Sequence, residues 1–187
     1  MSVGVTRLSG IANDMQRGLI RAFTELGRKA ATEAYRRARF GGKTYKDRTY
    51  NLNTSYGSAV YLNGVLIEDS ITSVNSGGYT KPDKRAPSGY ETGDRALKTY
   101  FKTAFVVRKR DTYTILVAAA MWYASMVEKK GYKVIEIDAA REYIAKNFDN
   151  VVGPVLKQYG LESFLPTLRK GMGVDIEYMR FGGSRHR

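Results

Sequence analysis

The stretch Asp47–Ile71, DRTYNLNTSYGSAVYLNGVLIEDSI, decides how the rest of the chain is read. Its second half holds two apolar runs, Ala59-Val60-Tyr61-Leu62 and Val65-Leu66-Ile67, on either side of Asn63-Gly64. Asn-Gly suits the two positive φ values of a type I′ turn, so the pattern predicts a β-hairpin. A two-residue loop would set Leu62 opposite Val65, Tyr61 opposite Leu66 and Val60 opposite Ile67. Val60, Leu62, Val65 and Ile67 are then expected on one face, Tyr61 and Leu66 on the other. A lone hairpin is marginal in water, so other elements must cover it.

Upstream, Ser9 is read as the cap of a helix reaching Arg39. Leu8, Ile11, Met15, Leu19, Ala22, Leu26, Ala30, Ala34 and Ala38 recur at helical spacing. The stripe turns from large residues to alanines, which would let its second half approach a neighbouring backbone closely. Arg28, Lys29, Arg36, Arg37 and Arg39 crowd the C-terminal end, where the helix dipole favours cations, and Gly41-Gly42 ends the helix. Such a helix is longer than a small domain needs. Part of it is expected either to project or pack on another subunit, or else to serve as a core helix with a solvated basic face.

Downstream, residues 73–93 (SVNSGGYTKPDKRAPSGYETG) lose all periodicity and read as an inserted, mobile basic arm carrying Lys81, Lys84 and Arg85, or as a plain disordered insertion. Asp94 is expected to cap a second helix with Ala96, Leu97, Tyr100, Phe101, Ala104 and Phe105 on its apolar face. Arg95, Lys98 and Lys102 stand opposite as a basic stripe, ordinarily a solvated face and alternatively a contact for DNA. A buried strand follows at Tyr113–Ala120, then a short strand at Tyr132–Ile137. A last long helix is expected from an Asp138 cap, kinked or restarted at Gly153-Pro154, since Pro154 lacks an N–H and meets the carbonyl of Asn150.

Residues 160–187 read as a C-terminal extension. In it Val174, Ile176 and Tyr178 alternate with Asp175 and Glu177, a strand that would add to the sheet edge of a neighbouring subunit. The fold expected is α+β: a small, mostly antiparallel four-stranded sheet with long helices packed on one face, plus arm and tail, with residues 1–159 as the single domain.

The global charge is the least ordinary property. Thirty-one Lys and Arg against eighteen Asp and Glu leave +13, with a pI near 9.9, which calls for an anionic partner or a neutralising assembly. Fourteen tyrosines suit protein interfaces and base stacking equally. No membrane span or signal peptide is read in the chain.

Chemistry is sparsely represented. There is no cysteine, and the single histidine is His186 in the tail, so a positioned imidazole or thiolate is not expected. No Walker-type loop or strand-borne GxGxxG occurs. Glu68-Asp69, Glu136 with Asp138, and Pro82-Asp83 are the acidic arrangements that a Mg²⁺-dependent nuclease would need. None carries the following acid-x-Lys, and a strand end and a helix cap explain the first two. The expectation is no enzyme, no cofactor and no metal. Zinc-finger, RRM and clear helix-turn-helix signatures are also missing, and the bases are spread along the chain, which favours contact with phosphate backbones at most.

Two patches carry a resemblance. Arg48-Thr49-Tyr50-Asn51-Leu52-Asn53-Thr54-Ser55, and Val117 to Glu128 (VAAAMWYASMVE) followed by Gly131-Tyr132-Lys133-Val134-Ile135, stand in order between matching helices. In this the chain resembles the head–tail connector (neck) or tail-completion proteins of tailed phages, as in lambdoid siphophages and short-tailed phages of gut bacteria. Tyr50 stands where that family has glycine.

The resemblance implies a virion structural protein made in the host cytoplasm, without catalysis or membrane. It would form a ring, twelve-fold by that likeness, between portal and tail around the genomic DNA, and contact portal and neighbouring connector or tail proteins. Arg48, Asn51, Lys81, Lys84, Arg85, Glu128, Ile176 and Tyr178 are then candidates for subunit or partner contacts. Arg36, Arg37, Arg39, Arg95, Lys98 and Lys102 are candidates for facing DNA. A basic nucleic-acid-binding protein acting through backbone electrostatics is the alternative.

Overall fold

The structure is a computed structural model that describes residues 2–40, 54–71, 83–86, 89–106, 109–121 and 123–178. Its elements in chain order are α1 (Ser2–Phe40), β1 (Tyr56–Leu62), β2 (Val65–Ile71), β3 (Asp83–Ala86), β4 (Gly89–Glu91), α2 (Gly93–Thr103), β5 (Tyr113–Ala119), α3 (Ala124–Lys129), α4 (Ile137–Gln158), α5 (Leu165–Gly171) and β6 (Gly173–Tyr178). The class is α+β. One sheet has the order β2-β1-β5-β6, and β3-β4 form a separate two-stranded ribbon. β1 is antiparallel to both β2 and β5, whereas β6 runs parallel to β5.

The hairpin forms where the sequence places it. Asn63 and Gly64 have φ of 55° and 75°, as a type I′ turn requires. Leu62 faces Val65 and Tyr61 faces Leu66, but Val60 faces Glu68 rather than Ile67. Ile67 is the extra residue of a β-bulge, and the expectation that it shares a face with Val60 is corrected. The bulge has a packing reason. Leu66 and Ile71 are five residues apart and would lie on opposite faces of a regular strand. The inserted residue returns both to the same face, where both pack against the apolar cluster that includes Leu97 and Phe101 of α2.

The sheet is covered on both sides, not one. Tyr56, Val60, Ile115, Val117, Ala119 and Ile176 join the core formed with α1 and α4. Ala59, Tyr61, Leu116 and Ala118 face α2 instead. Alternation along β1 and β5 therefore feeds two apolar clusters, which makes the central strands buried almost throughout. On the first side α4 lies along α1 with Ala140, Ile144, Phe148, Val152 and Leu156 at four-residue intervals. Phe23 stacks on Phe148 with ring centroids 6.2 Å apart. The close approach anticipated from the alanines of α1 is present, since the Glu136 amide donates to the Ala34 carbonyl at 3.2 Å.

Several sequence expectations change. α1 begins at Ser2, so Ser9 lies inside the helix. α4 is capped at Glu136, not Asp138, and continues through Pro154. Tyr132–Ile137 is not a strand, because other groups take its backbone. The Val134 amide donates to Glu128 Oε1 at 2.6 Å and the Val134 carbonyl accepts from the Tyr56 hydroxyl. The fourth strand is instead the tail strand β6, paired to β5 of its own chain with Ile176 opposite Val117. The expected donation of this strand to a neighbour is thereby corrected: β5 is the nearest open edge once Tyr132–Ile137 leaves it vacant.

Candidate interaction surfaces

The outer edge of β2 is one end of the sheet. Val65 is 56% exposed and Ile67 42%, with Glu68 and Asp69 exposed beyond them. An edge strand with exposed apolar side chains and unpaired main-chain groups is a template for pairing with another chain. The bulge and the two carboxylates restrict which chain fits. The opposite edge strand, β6, carries Asp175 and Glu177, so pairing β2 of one copy with β6 of another would oppose like charges.

α2 is fixed to the other face of the sheet by specific contacts. Leu97 packs over Gly57, where a Cβ would stand 2.7 Å from Leu97 Cδ2 and 2.4 Å from the Ser70 carbonyl oxygen. The Tyr61 hydroxyl donates to the Phe101 carbonyl at 2.7 Å, supplying a partner to one of the carbonyls a helix leaves open at its C-terminal end. Arg95, Lys98 and Lys102 are exposed along the outer side, and among the described residues no carboxylate lies within ion-pair distance of any of them. Phe105, expected on the apolar face, follows the helix end and is 64% exposed.

The cations of α1 are in a different state. Arg17 meets Asp14, Arg28 and Lys29 meet Glu25, and Arg36 and Arg37 share Glu33. Arg37 also reaches Glu142 of α4 at 3.1 Å. Hydrogen bonds from Arg36 and then Arg37 pull the Glu33 carboxyl down to about 2, and Arg28 chiefly lowers that of Glu25. Arg36 and Arg37 therefore offer an external anion less than their exposure implies. Arg39 is half-buried at the end of the helix.

The remaining candidates separate. Ile176 is buried in its own core, so its reading as an interface residue is corrected. Glu128 accepts the Val134 amide within its own chain. Lys84 and Arg85 lie on β3, and Tyr178 ends β6 opposite Ala119. Arg48, Asn51 and Lys81 lie outside the described residues.

Among the described residues no group of three or more His, Cys, Asp or Glu side chains comes together. Glu68 and Asp69 are opposite different residues of β1, Val60 and Ala59. Glu136 pairs with Lys133, and Asp138 lies 4.0 Å from Arg141. A cavity of about 220 Å³ is lined by Asp149, Leu165, Pro166, Arg169 and Lys170. Its arginine is held by Asp149 at 3.0 Å, by the Ala145 carbonyl at 3.2 Å, and over the Phe148 ring, which fastens α5 to α4. No described helix is long and apolar enough to cross a membrane.

The sequence missed the β2 bulge and the tyrosine anchors. Odd spacing of Leu66 and Ile71 was the one local signal of the first. No protein-family model matches the chain, and neither a curated protein nor a solved structure matches it.

Proposed function

We propose that this chain is a structural virion protein, the protomer of a ring in the head–tail connector of a tailed phage, with no catalytic role of its own. The ring would sit between portal and tail and surround the passing DNA. The two sequence patches described above supply the family likeness. The observation that carries self-assembly is the outer edge of β2, which no described strand pairs and on which Val65 and Ile67 are exposed. A ring requires two different surfaces that meet head to tail. The acid-bearing β2 edge suits a basic strand of the next copy, and β3, with Lys84 and Arg85 in a ribbon separate from the main sheet, has the required charge.

The experiment is a charge exchange. Glu68→Lys with Asp69→Lys should abolish rings seen by electron microscopy on the purified portal, and so should Lys84→Glu with Arg85→Glu. Combining all four should restore them. Rings that form equally well in every variant would reject the β2 contact. A wild-type chain that never associates with portal or with itself would reject the connector reading.

A basic nucleic-acid-binding protein is the second reading, favoured by the cations of α2, which meet no carboxylate among the described residues. It predicts DNA affinity that falls steeply with salt in the absence of any partner protein, with no ring at any concentration.

A further inference from the structure

Of the basic residues that sequence alone would aim at DNA, we infer that the α2 stripe Arg95-Lys98-Lys102, and not the α1 end Arg36-Arg37, forms the contact with the phosphate backbone of duplex DNA. The inference rests on the connector reading for its biological setting. Its physical basis is local and separate.

Three observations support it. The first is charge availability. A cation already held by a carboxylate must give up that pair before it can neutralise a phosphate, and Arg36 and Arg37 share Glu33 at 2.9 and 2.8 Å. Arg95, Lys98 and Lys102 are exposed and have no such partner among the described residues.

The second is spacing. Positions i, i+3 and i+7 lie along one side of a helix, and at 1.5 Å per residue they extend over about 10 Å. One strand of a duplex presents a phosphate about every 3.4 Å of its axis. Measured along the winding strand the phosphates lie farther apart than along the axis, so a helix laid on the backbone relies on the splay of its three long side chains to reach up to three neighbouring phosphates. Two of the contacts are lysines, which act as point charges and impose no sequence preference.

The third is rigidity. α2 is held to the sheet by Leu97 over Gly57 and by the bond from Tyr61 to Phe101, so the stripe is presented in a fixed line without ordering a loop. It lies on the side of the sheet opposite α1 and α4. A protomer that turns α2 toward a channel therefore leaves the paired charges of α1 for protein neighbours.

The test uses the full chain and a short duplex of random sequence, with affinity measured between 50 and 200 mM salt. Three phosphate contacts should contribute about 2.7 to the slope of log affinity against log salt, or about 40-fold over that range. The triple variant Arg95→Gln, Lys98→Gln, Lys102→Gln should lose that dependence with an unchanged circular dichroism spectrum. Arg36→Gln with Arg37→Gln should leave it nearly intact.

An unchanged slope in the α2 variant, or a loss confined to the α1 variant, overturns the inference. A triple variant that binds duplex normally but fails to join the portal overturns it too, and assigns the stripe to an acidic protein face. Ring formation is scored separately. Rings with no α2-dependent slope refute only this inference. An α2-dependent slope without rings refutes only the connector reading.

Discussion

Gly27 on α1 lies directly over Ser58 on β1: a β-carbon at Gly27 would stand 2.8 Å from the Ser58 hydroxyl oxygen and 2.9 Å from Ile115 Cγ2. The helix is thus seated on the sheet at a point where only a hydrogen fits. Both contacts are to fully buried, interior residues of the central strands, which have nowhere to retreat. Gly27→Val should therefore destabilise the protein by about 1–3 kcal/mol or more through overpacking, although a helix interior intrinsically disfavours glycine. Urea denaturation measures it. A variant as stable as wild type would show that α1 can lift without cost.

At the same contact the Ser58 hydroxyl is buried with no hydrogen-bond partner among the described residues. A buried polar group without a partner costs free energy that an apolar replacement recovers. Ser58→Ala is expected to leave stability unchanged or raise it by up to about 1 kcal/mol. A clear loss in the same urea assay would mean that the hydroxyl has a partner after all.

Tyr61 is buried, and its hydroxyl is the link between β1 and the end of α2. Tyr61→Phe keeps the ring and removes the donor to the Phe101 carbonyl, at a cost of about 1–3 kcal/mol. The loss should be felt locally as faster amide exchange in α2 than in α4. Uniform protection across both helices would show that the bond does not hold α2.

Glu33 provides a pH signature. Its carboxyl is lowered from 4.5 to about 2 by the bonds from Arg36 and then Arg37. A carboxyl whose folded value is depressed stabilises the fold above its unfolded value and loses that contribution as pH falls toward the folded one. The stability difference between wild type and Glu33→Gln should be constant from neutral pH to about pH 5, shrink below that, and vanish near pH 2. Because Arg36 and Arg37 are largely exposed, the difference should also be reduced by added salt. A difference that persists unchanged at pH 2 would assign it to packing rather than charge.

The elements whose cause is local could be read from the order of residues. Asn63-Gly64 dictated the turn because few other pairs adopt two positive φ values without strain, and the alanines of α1 announced a close neighbour. The apolar run of β5 and the long periodic helices were legible for the same reason: a spacing of two or of 3.6 is written along the chain. The basic stripe of α2 was visible as a spacing too.

What those elements meet was settled by packing between distant parts of the chain. Which strand filled the fourth place depended on competition for one edge of β5. Residues Tyr132–Ile137 lost it because Glu128, Tyr56 and Ala34 had already taken their backbone groups. The distant tail strand β6 gained it. Likewise, Glu33 stands three and four residues before Arg36 and Arg37, a pairing that helical spacing allows. Only packing brings Glu142 of α4 to Arg37 and leaves the three cations of α2 without a carboxylate among the described residues. Charge is a property of residues, but its availability is a property of distances, and those are set only when the chain has packed.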